Sequence, residues 1–284
     1  MPDFPAKKYR ALVADKDKSG KMSLSIRRLN TRDLPEHTVL VRVHYSSLNY
    51  KDALSASGDT GVTKHFPHTP GIDAAGVVEH SRDPGFHKGD EVIVTSYDLG
   101  QNTPGGFGEY ISVPGSWIVP LPHGLSLEES MTLGTAGFTA AYGIKKITDA
   151  GIDSGTGAVL VTGATGGVGS LAVSIFAKLG FDVIAATGKK ERHEYLKKLG
   201  AAECISRDSV TNVKHSPLLS SRWVAAIDTV GGEMLDCVIR QTSHNGVVAC
   251  CGNILGGDLE TSVYPFILRG ISLMGIDSGN CLMD

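Results

Sequence analysis

The sequence predicts an α/β protein in two domains, an irregular, barrel-like β domain over residues 1–124 and a doubly wound parallel sheet over residues 125–284. Three observations carry this reading. Short strand-like runs, separated by Gly- and Pro-rich punctuation, fill the chain up to residue 120. Apolar residues at helical spacing take over from Leu125. Beyond them, wholly apolar runs alternate with helical stretches, the pattern of strands buried on both faces and joined by crossover helices.

In the first domain, strands are expected at Arg10–Val13, Val39–Tyr45, Ala74–Val78, Glu91–Thr95 and Tyr110–Val113, with DPGFHKGDEV and TPGGFG as turns between them. The segment LSLEESMTLGTAGFTAAYGIKKITDAG has Ser126 as an N-cap and Glu128 and Glu129 in the first turn, so a linking helix follows. The second domain then reads AVLVTG, GGVGSLAVSIFAKLG, FDVIAAT, KKERHEYLKKLGA, WVAAIDT, GVVACCG and ISLMGID. Trp117 and Trp223 fall at strand-like positions and are expected in the core. The final GIDSGNCLMD stops directly after what should be an inner strand, so the native chain is expected to run further.

At 284 residues, with 41% apolar and 20% charged residues and a formal net charge of −3, the chain suits two ordinary globular domains and implies no strong electrostatic partner. Nucleic acid is not expected, for want of a basic, aromatic-rich strip. Glycine is over-represented, 35 residues where usual composition is ~7%, and much of it is clustered where backbone must bend or approach a ligand. The five cysteines, Cys204, Cys237, Cys250, Cys251 and Cys281, have neither metal nor disulfide spacing and read as reduced, mostly buried thiols. His65, His68, His80 and His87 lie in loop-like stretches without ligand spacing, so surface or turn roles are expected. The N-terminus lacks a leader pattern and no run approaches the length a bilayer needs, so a cytoplasmic protein without a membrane partner is expected.

The segment VLVTGATGGVGS places Gly163, Gly166 and Gly169 between an apolar strand and an apolar helix. A dinucleotide-binding loop requires that spacing. One glycine permits the turn, one lets backbone amides approach a pyrophosphate, and one lets helix pack on strand, while the helix N-terminus adds partial positive charge. The next strand ends at Thr187, eighteen residues past Gly169, where an NAD-binding protein carries an acidic residue for the ribose hydroxyls. Here the run is Thr187, Gly188, Lys189, Lys190. A hydroxyl, an open backbone and ammonium groups attract a 2′-phosphate, so NADPH is expected over NADH. Lys190 also reads as the solvated start of the next helix.

SLNYKD from Ser47, PGIDAAG from Pro70, GGFGEYISVP from Gly105, GTAGFTAA, GATGGVG, YLKKLGA, AIDTVGG, YPFILRG and GIDS together resemble the zinc-free quinone-oxidoreductase branch of the medium-chain dehydrogenase/reductase superfamily, most closely its acrylyl-coenzyme A reductase-like members. The resemblance covers essentially the whole chain. It implies a GroES-like first domain and a Rossmann second domain. Zinc alcohol dehydrogenases of the superfamily place a metal-binding Cys where this chain has Asn49, and a His-Glu pair where it has Ile72 and Asp73; no Cys precedes Cys204, so the four-cysteine zinc lobe is missing too. No metal is therefore expected.

The resemblance implies that Gly163, Thr165, Gly166, Gly167, Val168 and Gly169 hold the pyrophosphate and that Thr187, Gly188, Lys189 and Arg207 face the adenosine phosphate, a solvated surface role being the alternative for Arg207. Asn253, Ile267 and Ser278 would offer groups at strand ends to the nicotinamide half, although Asn253 departs from the apolar residue expected there. Tyr50 would lie near the nicotinamide ribose, either as a phenol donor to cofactor or substrate or as an aromatic shelf. Lys51 and Asp52 are expected to form a local ion pair, and Asp73 to support its turn. The implied activity is an NADPH-dependent, zinc-independent reduction of an activated C=C bond, an acrylyl-CoA-like thioester or a quinone being the small-molecule substrate, in a homodimer joined through the edge of the cofactor domain. A non-catalytic NADPH-binding sensor is the alternative.

Overall fold

In the computed structural model, which describes residues 4–213 and 216–281, strands β1 (Lys8–Lys16) and β2 (Met22–Asn30) form an antiparallel hairpin. The Asp17 carboxylate closes its turn by accepting the N–H groups of Ser19 and Lys21, an Asx-type device. β1 buries Tyr9, Ala11, Val13 and Ala14. In β2, by contrast, which is not among the expected strands, Leu24 and Ile26 face outward.

The chain continues through β3 (Val39–Tyr45), α1 (Tyr50–Ser57), β4 (Asp73–Ser81), β5 (Glu91–Thr95), β6 (Tyr110–Val113) and β7 (Ile118–Pro120). These five strands pair antiparallel in the order β6-β3-β4-β5-β7. Val39, Val41, Ala74, Val78, Val92, Val94, Ile111 and Val113 make their common core. Each such Val or Ile stabilises the fold by roughly 1.5–3 kcal/mol relative to exposure. All five strands read from the sequence in this domain are present. Trp117 differs from expectation: it closes a short 3₁₀ turn before β7 and stacks on Tyr97, ring centroids 5.5 Å apart. His68 is likewise not a surface residue, since it is buried with its Nε2 unpartnered.

Helix α2 (Leu127–Asp149) starts at Ser126, whose hydroxyl accepts the Glu129 N–H while Glu129 accepts the Ser126 N–H, a capping box. The helix breaks at Gly134 (φ 50°, ψ −156°). By compactness the chain divides just after this break, into Met1–Thr135 with Gly279–Asp284, and Ala136–Ser278; residue 125 lies two positions before α2 begins.

The second unit runs β8 (Val159–Val161), α3 (Gly167–Lys178), β9 (Val183–Thr187), α4 (His193–Lys198), β10 (Glu203–Ser206), α5 (Asp208–Thr211), β11 (Trp223–Asp228), α6 (Gly232–Arg240), β12 (Thr242–Cys250), α7 (Tyr264–Arg269) and β13 (Ser272–Gly275). Its six strands pair parallel in the order β10-β9-β8-β11-β12-β13, the doubly wound arrangement whose switch point lies between β8 and β11. Alternate residues of each strand serve opposite faces. Val161, Val183 and Ile227 pack with Ile144, Phe176 and Leu196 on one side, and Leu160, Ile184 and Ala226 with Met234 and Val238 on the other. Trp223 is buried and donates its indole N–H to Val238 O and Thr242 Oγ1. Among the cysteines only Cys237 is fully buried, the others being partly exposed.

Candidate functional site

The loop after β8 is built by close backbone packing. Gly163 has φ +56°, a left-handed conformation that favours glycine, and a Cβ there would lie 2.2 Å from Thr229 Oγ1. A Cβ on Gly169 would meet Gly163 O at 2.3 Å, so helix and loop can approach this closely only without a side chain. Gly166 caps α3, no side chain bonds to the cap, and no acidic residue occupies the first turn. The first amides of Gly167, Val168 and Gly169 therefore project partial positive charge without a competing anion. The Val168 side chain itself packs against the core.

At the C-terminal ends of β8 and β9, a cavity of about 450 Å³ is lined by Gly163, Thr165, Gly166, Thr187, Gly188, Lys189 and Arg207, with Val230, Met234, Ile254 and Leu255. Its two charged lining side chains, Lys189 and Arg207, are both cationic. Thr187 stands where an acidic residue would repel a phosphate monoester; its hydroxyl lies 3.3 Å from Thr165 Oγ1 and accepts the Lys189 N–H at 3.1 Å. Space beyond Gly188 is open. Lys190 does not line the cavity and begins the turn before α4. The donor set fits a nucleotide diphosphate bearing an additional monoester.

Asn253 lines a second cavity, of about 620 Å³, with Gly231, Gly232, Cys250, Gly256 and Asp277 among its neighbours. Ser278 pairs its hydroxyl with Thr139 Oγ1 at 2.7 Å. Ile267 sits on α7 with 67% of its surface exposed and lines neither cavity; the strand-end position expected for it is not what YPFILRG forms, because Pro265 and the Gly270 C-cap delimit a short helix.

In the first unit, Tyr50 is the first residue of α1 and 66% exposed. Asp52 does not pair with Lys51, as the sequence suggests. Its carboxylate instead accepts the N–H groups of Asn49 and Ile72, each at 2.8 Å, tying the start of α1 to the start of β4. Burial pushes its pKa up, while those two bonds oppose the shift. Asp73 is wholly buried and does more than support a turn. It accepts the Ser47 hydroxyl at 2.5 Å, the Asn49 amide at 2.9 Å, and both the N–H and hydroxyl of Thr135. The motifs SLNYKD, PGID and GTAG thus converge on one carboxylate.

The alcohol dehydrogenase GroES-like domain model matches residues 35–123, and the zinc-binding dehydrogenase model matches residues 167–283. The putative quinone oxidoreductase YhfP of Bacillus subtilis is 48% identical over 276 residues, covering 97% of this chain and 83% of that protein. The chain belongs to the medium-chain dehydrogenase/reductase family. A crystal structure of YhfP with NAD bound matches this family member with a TM-score of 0.94 at 47% identity, over 98% of this chain and 84% of that one. Escherichia coli YhdH with bound NADPH matches with a TM-score of 0.93 at 45% identity, over 96% and 84%. The acrylyl-CoA reductase AcuI of Ruegeria pomeroyi is 44% identical over 271 residues, 95% of this chain and 82% of that protein. As a medium-chain dehydrogenase/reductase, the chain is an oxidoreductase with a GroES-like and a Rossmann-type domain.

Sequence reasoning passes over one residue at the cofactor end of this family member. Asp228, in AIDTVGG, is wholly buried and bonds Thr162 Oγ1 at 2.7 Å. The available signal is a lone carboxylate closing an apolar inner strand.

Proposed function

We propose that this oxidoreductase uses NADPH to reduce an activated C=C bond, an acrylyl-CoA-like thioester before a quinone, without zinc. The observation that carries the cofactor choice is the cavity where Thr165 and Thr187 meet Lys189 and Arg207 with no acidic residue in its lining. Two cations and two hydroxyls favour a 2′-phosphate over a free ribose hydroxyl pair. Relatives have been seen with either nucleotide, NAD on YhfP and NADPH on YhdH; the cationic lining is what favours NADPH here. The naming of AcuI as an acrylyl-CoA reductase supports the thioester.

When bound, NADPH supplies the hydride that, with a proton, saturates the double bond. The chain's own groups do the rest. The amides of Gly167, Val168 and Gly169 bind the pyrophosphate through the N-terminus of α3, and Lys189 and Arg207 neutralise the monoester. Asn253 and Ser278 offer polar groups toward the nicotinamide half. Tyr50 presents a phenol O–H that donates to an oxygen of cofactor or substrate, stabilising charge that collects on a thioester or quinone oxygen. Its helix is held by Asp52 and, through Asn49, by Asp73.

Zinc independence rests on the donor set. Asn49 and Asp73 are spent on each other, and among the described residues no group of three or more His, Cys, Asp or Glu could hold a metal ion. Among those residues also, no helix is long and apolar enough to cross a membrane. Stopped-flow oxidation of NADPH with acrylyl-CoA and with a quinone tests the proposal. Turnover of the thioester, undiminished by chelators, is expected; NADPH binding with no turnover of either acceptor contradicts the enzymatic reading in favour of a sensor.

A further inference from the structure

The turn that follows β11 walls both of the cavities described above. Val230 lines the cavity with Lys189 and Arg207, while Gly231 and Gly232 line the other. The facing loop is divided in the same way: Ile254 and Leu255 face the first cavity, Asn253 and Gly256 the second. Turn and loop touch through backbone. Leu255 N–H donates to Val230 O at 2.9 Å, and a Cβ would lie 2.8 Å from Gly252 O if placed on Gly231 and 2.6 Å from Leu255 O if placed on Gly232. No side chain fits at Gly231 or Gly232, where turn and loop meet, so their approach depends on what anchors the backbone.

The anchor is Asp228. One carboxylate oxygen accepts the N–H of Gly231 at 2.7 Å and of Val230 at 3.3 Å; the other accepts the Thr162 hydroxyl at 2.7 Å. Thr162 Oγ1 in turn accepts the Thr229 N–H, and the Thr229 hydroxyl donates to Thr162 O, both at 3.0 Å. Thr162 is followed directly by Gly163 of the phosphate loop, so a single buried carboxylate fixes the loop and the partition in one frame. Burial pushes the Asp228 pKa up and the three donors oppose it.

We propose that Asp228 is a positioning residue that, through the N–H groups of Val230 and Gly231, sets the partition so that one dinucleotide lies across both cavities. The inference rests on the NADPH reading above and deepens it. Adenosine 2′,5′-bisphosphate carries only the half that fits the cavity with Lys189 and Arg207, so it meets the partition along one wall alone, through Val230, Ile254 and Leu255, and a displaced partition costs it less than NADPH.

The test is calorimetric titration of NADPH and of adenosine 2′,5′-bisphosphate into wild-type protein, Asp228→Asn and Thr162→Val, with thermal unfolding followed for each. The variants are expected to lose about tenfold in NADPH affinity, the scale of one disrupted buried hydrogen bond, and to hold the bisphosphate within about threefold of wild type. Equal losses for both ligands, or a lowered Tm with both affinities intact, overturn the positioning role. If Asp228→Asn does not fold, Thr162→Val decides alone, since it removes one hydroxyl and keeps the side-chain volume. Wild-type protein that takes up neither ligand overturns the NADPH reading itself, an outcome separable from any variant effect.

Discussion

Thr135 donates both its backbone N–H and its hydroxyl to the Asp73 carboxylate, at 2.9 and 2.6 Å. With Ser47 and Asn49, the carboxylate has four donors around it in a wholly buried site. Asp73→Asn sets an NH₂ group against those donors and leaves at least one unsatisfied. We predict a loss of about 2–3 kcal/mol in urea unfolding, from the cost of an orphaned buried donor beside a lost charge-assisted bond; a loss below about 0.5 kcal/mol contradicts the hub.

Gly134 stands beside the same carboxylate. Its φ of +50° suits glycine, and a Cβ there would lie 2.6 Å from Asp73 Oδ2. Gly134→Ala is therefore expected to destabilise by about 2 kcal/mol or more, through backbone strain and collision together. An alanine variant with an unchanged unfolding midpoint contradicts the break in α2.

The contrast between these residues shows what the sequence makes legible. The glycines of VLVTGATGGVGS announce their loop because local spacing alone specifies a strand, a turn and a helix start, and the clashes at Gly163 and Gly169 are the physical content of that spacing. Lys189 and Arg207 are legible as charges, and the cavity brings them together. Asp52 is misread because an adjacent Lys51 suggests a pair, whereas its partners are backbone amides, one of them at Ile72 far along the chain. Asp73 and Asp228 are legible only as buried carboxylates; the donors of Asp73 come from two separate segments, and those of Asp228 from its own following turn and from across the sheet's switch point. Strand β2 is not among the expected strands, although Met22, Leu24 and Ile26 alternate with polar residues as in a half-buried strand; what the alternation does not show is that Leu24 and Ile26 point outward.

His68 makes a pH prediction with a definite sign. It is buried, its Nε2 lacks a partner, and burial pushes its pKa below the ordinary histidine value. The unfolded chain takes up this proton below pH ~6.5 while the folded chain resists, so stability falls as pH drops through that value, by at most about 1.4 kcal/mol per pH unit for this group. His68→Leu should flatten the decline between pH 7 and pH 5 in urea unfolding. An equally steep decline in the variant means that His68 is not its source.

Charge reversal at the cationic cavity probes coenzyme choice. In Lys189→Glu, and separately in Arg207→Glu, NADPH affinity should fall about tenfold or more while NADH affinity changes by less than about threefold, because only the former carries the monoester. Parallel losses for both coenzymes, read by nucleotide fluorescence, contradict the assignment of these side chains to the phosphate.

The central claim, that the second unit binds a phosphorylated dinucleotide, is tested most directly by calorimetric titration of NADPH and then NADH into the intact chain. A saturable uptake of one NADPH per chain, tighter than NADH, is the predicted result. Absence of NADPH binding by folded protein, or a clear preference for NADH, contradicts it.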